Sequence, residues 1–552
     1  MKLIHGLRFD NLRGDIFGGL TTAVVALPLA LAFGVASGAG PVAGLYGAIF
    51  VGFFAALFGG TPAQVSGPTG PMTVVMAGIL TQFADRPALA FTVVMMAGGI
   101  QIFFGLLRIG RYITLMPAPV ISGFMTGIGC IIIVLQLPPL LGYSEPTGNV
   151  IATLTMLPKI GTMASSHALI VGIGAFLVTT YTPRSIRRFL PSPLAALAIG
   201  TLAVHLWLPR APVLGDIPIG FPSWQLPVIE PALLIEMLQG AVVLALLGSI
   251  DSLLTSLIAD NVTHTQHDSN RELVGQGIGN AIAGMFGAIP GAGATMRTVI
   301  NVRTGGRTPI SGALHAIVLL SIVLGFSDLA RHIPHAVLAG ILIRVGIDII
   351  DWSYLKRIRR APKAGIVFML IVLFLTILVD LIVAVLVGTV LASFLFVKRM
   401  ADMQLASIRQ VNSKNDDHLL TTEEATLLDA TRGRALLFHL TGPFSFGSAR
   451  GMVQQLGVEN SYEVMILDMS AVTLIDTSAS LAIEDVICRA SDAGKKIYIV
   501  PPGSAVMTVM EKIGMFEQNL DAQKCRTRLN ALQSALRTLG IDPNSVHNFP
   551  MQ

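Results

Sequence analysis

Two segments rich in Gly, Pro and Thr interrupt apolar stretches of this chain, and they do so in the same way. The first covers residues 64–73 and reads QVSGPTGPMT; the second covers residues 289–298 and reads IPGAGATMRT. Lipid leaves the backbone N–H groups of such a break without partners, so breaks of this kind persist only against protein or a wet cavity. Matched breaks in two halves of a membrane protein are typical of a substrate site.

The chemistry that such a pair of breaks supports is anion binding. Two half-helices that begin near the middle of the bilayer direct their free N–H groups and positive dipole ends at one point. Thr69 and Thr295 add hydroxyl donors, and the glycines let an ion approach the backbone closely. The alternative is that Gly and Pro serve helix packing alone. The occurrence of two matched breaks favours the site.

Two charged residues are predicted to lie inside the bilayer, where charges are costly and usually functional. Asp251 precedes Thr255 by one helical turn, so both side chains can face one cavity. Their oxygens suit sodium if backbone carbonyls of an unwound segment join them; alternatively, Asp251 carries a proton. Arg297 begins the second half-helix and either attracts the anion or pairs with Asp251. Packed or interfacial positions are predicted for Glu236, Arg344, Asp348, His205 and His315.

The elements that must position these residues are membrane helices. Hydrophobic residues make up 53% of the 552 residues, charged residues 12%, and the mean hydropathy is +0.71, whereas soluble domains carry about 25% charged residues. Long apolar runs recur up to about residue 400, after which charges return. We therefore predict a transmembrane domain over 1–400, a linker over 401–429 and a cytoplasmic domain over 430–552.

Fourteen membrane segments are predicted, as a seven-plus-seven inverted repeat, because an odd number of spans per repeat inverts the second copy. Their centres lie near residues 26, 50, 75, 98, 128, 175, 199, 246, 280, 300, 318, 342, 372 and 389, and the third and tenth contain the breaks. Basic residues favour the even-numbered loops, which predicts cytoplasmic termini in an inner (plasma) membrane. Those loops hold Arg108, Arg111, Arg184, Arg187, Arg188, Arg271, Arg303, Arg307, Lys356, Arg357, Arg359, Arg360 and Lys363; the odd-numbered loops hold Arg86, Lys159, Arg210 and Arg331.

Other function classes find no support in the sequence. The formal net charge of +5 follows from topology, and no basic stripe interleaved with aromatic residues indicates nucleic-acid binding. Cys130, Cys488 and Cys525 are too far apart for a zinc site or a disulfide framework. Neither a P-loop nor a nucleophile elbow is present. We expect neither an enzyme nor a bound cofactor.

Several stretches resemble the SulP (sulfate permease, solute carrier family 26) anion transporters, and especially the sodium-dependent bicarbonate transporters among them. They are residues 14–20, 26–34, 68–73, 273–280 and 291–295. From about residue 430 strands and helices alternate, and residues 467–479 resemble a STAS (sulfate transporter and anti-sigma antagonist) domain. Ser478 matches the serine that is phosphorylated in the antagonists, although 476–478 also reads as a helix N-cap, which we favour.

The resemblance implies a uracil-permease-like fold of fourteen segments, an elevator-like movement of a core (spans 1–4 and 8–11) against a gate, and a homodimer. It implies sodium ligation at Asp251, Thr255, Gly293 and Thr295. It also implies bicarbonate contacts at Thr69, Gly70, Ala294 and Thr295.

At two positions the chain departs from the bicarbonate transporters that it resembles, and these departures leave the coupling ion undecided. This chain has Gly67 where the bicarbonate transporters have Glu, and Arg297 where they have Gly, and an Arg is the commoner pattern in sulfate and dicarboxylate carriers. A guanidinium beside Asp251 can take the electrostatic place of sodium. Three interpretations follow: a sodium-driven bicarbonate importer, a proton-coupled or exchanging carrier of sulfate or a dicarboxylate, and a channel or sensor that signals through the STAS domain. The sequence does not identify a partner of that domain.

Overall fold

The chain divides into two compact units, Met1–Val390 and Leu391–Gln552, in a computed structural model. The structure describes residues 4–110, 118–143, 150–183, 186, 190–215, 222, 224–360, 362–379, 381–411, 419–456, 462–514 and 522–546. Four arginines that entered the topology prediction lie outside these ranges: Arg111, Arg184, Arg187 and Arg188.

The first unit is helical. Its helices and its two short strands are α1 (Leu12–Ala36), α2 (Pro41–Phe58), β1 (Ser66–Gly67), α3 (Gly70–Gln82), α4 (Pro87–Leu106), α5 (Ala118–Leu135), α6 (Leu137–Leu140), α7 (Val150–Thr162), α8 (Ser166–Tyr181), α9 (Ser192–Leu206), α10 (Leu234–Thr263), α11 (Ser269–Met285), β2 (Ala292–Gly293), α12 (Thr295–Arg303), α13 (Pro309–Ala330), α14 (His335–Ile349), α15 (Trp352–Arg357), α16 (Lys363–Leu378) and α17 (Leu381–Ala406), which continues into the second unit.

Each of the fourteen predicted segment centres falls inside one of these helices. Five described helical segments are long and apolar enough to cross a bilayer by length and composition alone: Leu12–Ala36, Pro41–Phe58, Pro87–Leu106, Ala118–Leu140 and Pro231–Thr263. The helices of the two breaks, α3 and α12, are only 13 and 9 residues long. At about 1.5 Å per residue, neither of these helices crosses the bilayer alone.

Small residues let the helices that surround the breaks pack at backbone contact. A Cβ atom added to Gly98 of α4 would lie 2.5 Å from the carbonyl oxygen of Gly277 on α11. A Cβ atom added to Gly277 would lie 2.6 Å from the carbonyl oxygen of Gly98. Such contact is the usual means of helix association in a membrane, where lipid gives helices no hydrophobic reason to associate. The close packing of α4 against α11 stabilises the helices that surround the breaks.

The second unit contains a five-stranded sheet in the order β3-β4-β5-β6-β7, with β3 antiparallel to β4 and the other neighbours parallel. One face packs on helices that include α19 and α20, and the other packs on α18 and α22. The elements are β3 (Ile408–Val411), α18 (Thr422–Ala430), β4 (Ala435–Phe444), α19 (Phe446–Gln455), β5 (Val464–Ile475), α20 (Thr477–Asp492), β6 (Lys496–Val500), α21 (Ser504–Lys512), β7 (Ala522–Lys524), α22 (Arg528–Thr538) and α23 (Pro543–Val546).

The described part of the predicted linker, 401–429, is folded. Strand β3 pairs with β4, and α18 begins with a capping box formed by Thr421 and Glu424. The physical reason is burial: Val411, Leu427 and Leu428 belong to the apolar cluster on one face of the sheet. Residues 412–418 of the predicted linker lie outside the described ranges.

Candidate functional site

The two breaks meet as a short antiparallel ladder. Ser66 is opposite Gly293 and Gly67 is opposite Ala292. The ladder is extended by Val65, whose carbonyl accepts from the Ala294 N–H at 2.9 Å and whose N–H donates to the Thr298 hydroxyl at 3.1 Å. Backbone groups that the breaks remove from helices therefore pair with each other, which satisfies the demand that lipid makes on them.

The helix beginnings beside this ladder retain open hydrogen-bond donors. Helix α3 starts at Gly70 after Thr69, helix α12 starts at Thr295 after Ala294, and neither N-cap residue makes a side-chain capping bond. The first N–H groups of a helix have no partner within it. The hydroxyl of Thr69 is buried and makes no hydrogen bond of normal length among the described residues, and the nearest charged group that it interacts with is the Asp251 carboxylate. These donors suit a small anion.

Arg297 is a buried cation at this point. Arg297 is 2% exposed, and one of its guanidinium nitrogens (Nη2) donates to the carbonyl of Pro68. The other, Nη1, has no partner among the described residues. Gly67 has a φ of +148°, and a Cβ there would lie 2.6 Å from Nη1. The two positions at which this chain departs from its resemblance are therefore neighbours, and the positive φ at position 67 favours glycine there.

The predicted sodium ligands also come together. The Thr255 hydroxyl donates to the Gly293 carbonyl at 2.9 Å and lies 2.7 Å from the Thr295 hydroxyl. Asp251 is one turn earlier on α10, and its buried Oδ2 has no partner among the described residues. Carboxylate, hydroxyl and carbonyl oxygens are the ligands of hard cations. This donor set fits sodium.

Asp251 and Arg297 are coupled electrostatically but do not form a direct ion pair among the described residues. The hydrogen bond of the guanidinium goes to Pro68 instead. The two charges therefore lie near each other beside the ladder without a direct bond, and each keeps an atom that makes no hydrogen bond of normal length among the described residues.

A polar network behind the first break was missed by sequence reasoning. Glu272 is 1% exposed, and its carboxylate accepts from the N–H groups of Gly60 and Thr61, each at 3.0 Å, and from the amides of Gln64 at 2.7 Å and Gln276 at 2.8 Å. The signal was present: three polar residues repeat at intervals of four on one face of α11, namely Glu272, Gln276 and Asn280.

This network reaches both breaks. The Gln276 amide donates to the Ser66 hydroxyl at 2.6 Å, and the Ser256 hydroxyl donates to Gln64 at 3.0 Å. Asn280 bonds the N–H and the carbonyl of Gly291 at 2.8 and 3.0 Å. Side chains of α11 therefore bond both breaks, and Ser256 of α10 bonds the first.

The residues predicted to be packed or interfacial have different surroundings. Arg344 and Asp348 form a two-point ion pair at 3.1 and 2.6 Å that lines a cavity, and Glu236 lines another. His315 is fully buried, and neither ring nitrogen has a partner among the described residues. The ring of His205 lies edge-on to that of His332.

In the second unit, polar side chains such as Asp476 and Asp468 form hydrogen bonds with other groups of the same unit. Asp476 caps α20 by accepting from the Ala479 N–H at 2.8 Å, as the N-cap interpretation predicts. Asp468 is fully buried and accepts from Ser470 at 2.6 Å and Arg528 at 2.8 Å, with His439 at 2.7 Å. Burial raises the pKa of Asp468, but the bonds from His439 and Ser470 and the charge of Arg528 outweigh it, so the pKa lies well below its usual range.

Comparison with known proteins agrees with the SulP and STAS resemblances. The sulfate permease family model matches residues 12–372, and the STAS domain model matches residues 428–530. The bicarbonate transporter BicA of Picosynechococcus sp. is 46% identical, over 99% of this chain and 98% of that protein.

Two solved structures match the fold. The transmembrane domain of a cyanobacterial bicarbonate transporter BicA is 49% identical, with a TM-score of 0.64, over 71% of this chain and all of that one. The murine solute carrier 26 family member A9 anion transporter in its inward-facing state has a TM-score of 0.82 at 18% identity, over 96% of this chain and 92% of that one. The second likeness, at that identity, concerns the fold alone.

Proposed function

This chain belongs to the sulfate permease family, and from that premise we propose that it is a secondary active transporter that imports bicarbonate together with sodium. The observation that carries the proposal is the meeting of the two breaks. It brings together three buried polar atoms, on Thr69, Asp251 and Arg297, that make no hydrogen bond of normal length among the described residues. The similarity to bicarbonate transporters over nearly the whole chain supports bicarbonate as the anion.

The anion is held by the α3 and α12 helix beginnings. The N–H groups at Gly70 and Thr295, the Thr69 hydroxyl and Nη1 of Arg297 donate to its oxygens, and the backbone at Ala294 lies at the same point. Sodium is held on the other side of the ladder by Asp251, Thr255, the Gly293 carbonyl and Thr295. Thr295 is common to both sets, so each ion orders a residue that the other needs.

The coupling of the two ions follows from charge. Without sodium, the open oxygen of Asp251 repels an incoming anion; with sodium, the site offers a net positive field. The core that carries both ions then moves past the gate in an elevator-like step. We propose fourteen segments in two inverted sets of seven, cytoplasmic termini in the inner (plasma) membrane, and a homodimer. We also propose that the transport and STAS parts divide near residue 400.

A second candidate function is proton-coupled or exchange transport of sulfate or a dicarboxylate. Arg297 favours it, because a fixed guanidinium with an open nitrogen supplies the positive charge that sodium would otherwise bring. Under this alternative Asp251 carries a proton or only balances the guanidinium, and sodium has no role.

The test is uptake by purified full-length protein in liposomes. Labelled bicarbonate, sulfate and succinate are compared under an inward sodium gradient and under an equal choline gradient. Uptake of bicarbonate that requires sodium supports the first function. Uptake of sulfate or succinate that is indifferent to sodium replaces it with the second.

A further inference from the structure

A cavity of about 670 Å³ lies along helix α12 and reaches the residue next to Thr295. Met296, Ile300 and Arg303 of that helix line it, and Met296 is the neighbour of Thr295. These positions recur at intervals of three or four residues, so one face of α12 forms a wall of the cavity from the site to the helix end. Arg303 ends that wall about 12 Å from Thr295, at about 1.5 Å per residue.

The charges on the described lining of this cavity do not cancel. Arg344 is bound at two points by Asp348 on α14, whereas Arg303 makes no ion pair among the described residues. Two positive charges and one negative charge leave one net positive charge. Thr21, Thr179, Ser192 and Thr304 also line the cavity, and the hydroxyls of Thr179 and Thr304 donate to carbonyls one turn away.

The cavity along the other half-helix has the opposite charge. It measures about 430 Å³, is lined by α3 residues from Val74 to Gln82, and has Glu236 as the one charged residue on its described lining. Each half-helix thus lines a cavity of its own. A route whose walls carry one sign of charge concentrates ions of the other sign and raises their rate of capture.

We propose that Arg303 captures anions at the mouth of the α12 cavity and delivers them to the break site. The inference rests on the proposed anion transport and adds a residue and a route that the binding site itself does not include. A structural alternative exists: a basic residue in the last turn of a helix also stabilises the helix dipole. The experiment must therefore separate charge in the cavity from stability of the helix.

A series of full-length variants changes the net charge of the cavity in both directions. Arg303→Gln lowers it from one to zero, Asp348→Asn raises it to two, and the double variant Arg344→Gln/Asp348→Asn removes the ion pair but keeps it at one. Arg303→Lys keeps the charge with a different side chain. Arg307→Gln is the matched control, because this exposed arginine lies four residues away but does not line the cavity.

The measurement is kcat/KM for counterflow of labelled bicarbonate in liposomes, at low ionic strength and at about 0.15 M, with choline gluconate as the added salt. At low ionic strength we expect Arg303→Gln to lower kcat/KM about three- to tenfold and Asp348→Asn to raise it by a similar factor. The Lys, double and Arg307 variants should stay within about twofold of the wild type. Differences should shrink at 0.15 M, where the screening length is about 8 Å.

The outcomes separate the two proposals. If the wild type moves bicarbonate but the series does not follow cavity charge, or if Arg303→Lys behaves like Arg303→Gln, the capture role of Arg303 is wrong and the proposed function stands. If the wild type moves no bicarbonate, the series is repeated with sulfate, which tests the capture role by itself. A wild type that moves neither anion overturns both.

Discussion

Two buried carboxylates in this molecule differ in how fully they are hydrogen-bonded. Asp468 in the α/β domain is fully buried, and three side chains bond it or lie within bonding distance. Asp251 in the helical unit has a buried oxygen with no partner among the described residues, beside the similarly open Thr69 and Arg297. Because an unsatisfied buried polar group costs stability, its persistence points to a ligand.

The difference is not one between membrane and water. Glu272 lies in the same helical unit as Asp251 and accepts four hydrogen bonds. Buried atoms without a hydrogen bond occur at several places among the described residues, and those of Thr69, Asp251 and Arg297 lie close together beside the ladder. The Glu272 carboxylate holds the fold, whereas we expect the Asp251 carboxylate to bind an ion, and the variants below test that division.

The largest effect is expected at the closed carboxylate of the membrane unit. Glu272→Ala strands two backbone N–H groups and two amides, and we expect a loss of about 3–5 kcal/mol in the free energy of unfolding. Glu236→Ala is the control, since one oxygen of Glu236 has no partner among the described residues; it should cost less than about 1 kcal/mol. Thermal and denaturant unfolding of the purified protein give both values. Equal losses would remove the distinction between closed and open groups.

The Asp468 cluster predicts a pH dependence of the α/β domain. The pKa of this carboxyl is lower in the folded state than in the unfolded state, so ionised Asp468 stabilises the fold above the usual carboxyl range of about 4. That contribution is lost as the pH falls through that range toward the folded pKa. Asp468→Asn should cost about 3 kcal/mol at pH 7, nearly as much at pH 4, and progressively less as the pH falls further toward the folded pKa. Hydrogen exchange of β4 and β5 in the full-length protein measures it; a loss that does not change with pH would contradict the assignment.

At the open carboxylate, a substitution should affect ligand binding and leave the fold intact. Asp251→Asn breaks no protein hydrogen bond that the structure describes at Oδ2, so unfolding without sodium should change by less than about 1 kcal/mol. Sodium at a few tens of times its Kd should stabilise the wild type by roughly 2 kcal/mol and the variant not at all. Melting in sodium and in choline at equal ionic strength provides the comparison. A wild type whose melting and transport are indifferent to sodium would favour the second candidate function.

The sequence predicted the helical architecture and the two breaks, because apolar runs, breaks and intramembrane charges are local signals; the roles of the site residues stay predictions. Thr255, Gly293 and Thr295 are in contact as the resemblance implied. The sequence could not decide whether Asp251 pairs with Arg297, because the distance between their side chains depends on the fold of the first break. In the structure Pro68 and Gly67 of that break lie against the guanidinium. The Glu272 network was missed because three of its four partners, on Gly60, Thr61 and Gln64, lie more than 200 residues away in the sequence. The folded part of the predicted linker was missed because β3 is four residues long and takes its partner from β4.

The smallest and sharpest contrast lies within the first break, between two buried threonines four residues apart. The Thr73 hydroxyl donates to the Thr69 carbonyl at 2.8 Å, whereas the Thr69 hydroxyl makes no hydrogen bond of normal length among the described residues. Thr69→Val should therefore weaken anion binding by about 1–2 kcal/mol and leave the melting temperature unchanged. Thr73→Val should do the reverse, with a cost in stability of about 1 kcal/mol and an unchanged anion Kd. Anion-dependent thermal shifts give both quantities for both variants. If Thr69→Val lowers stability and spares affinity, its hydroxyl belongs with the closed groups, and the anion site must be sought elsewhere along the ladder.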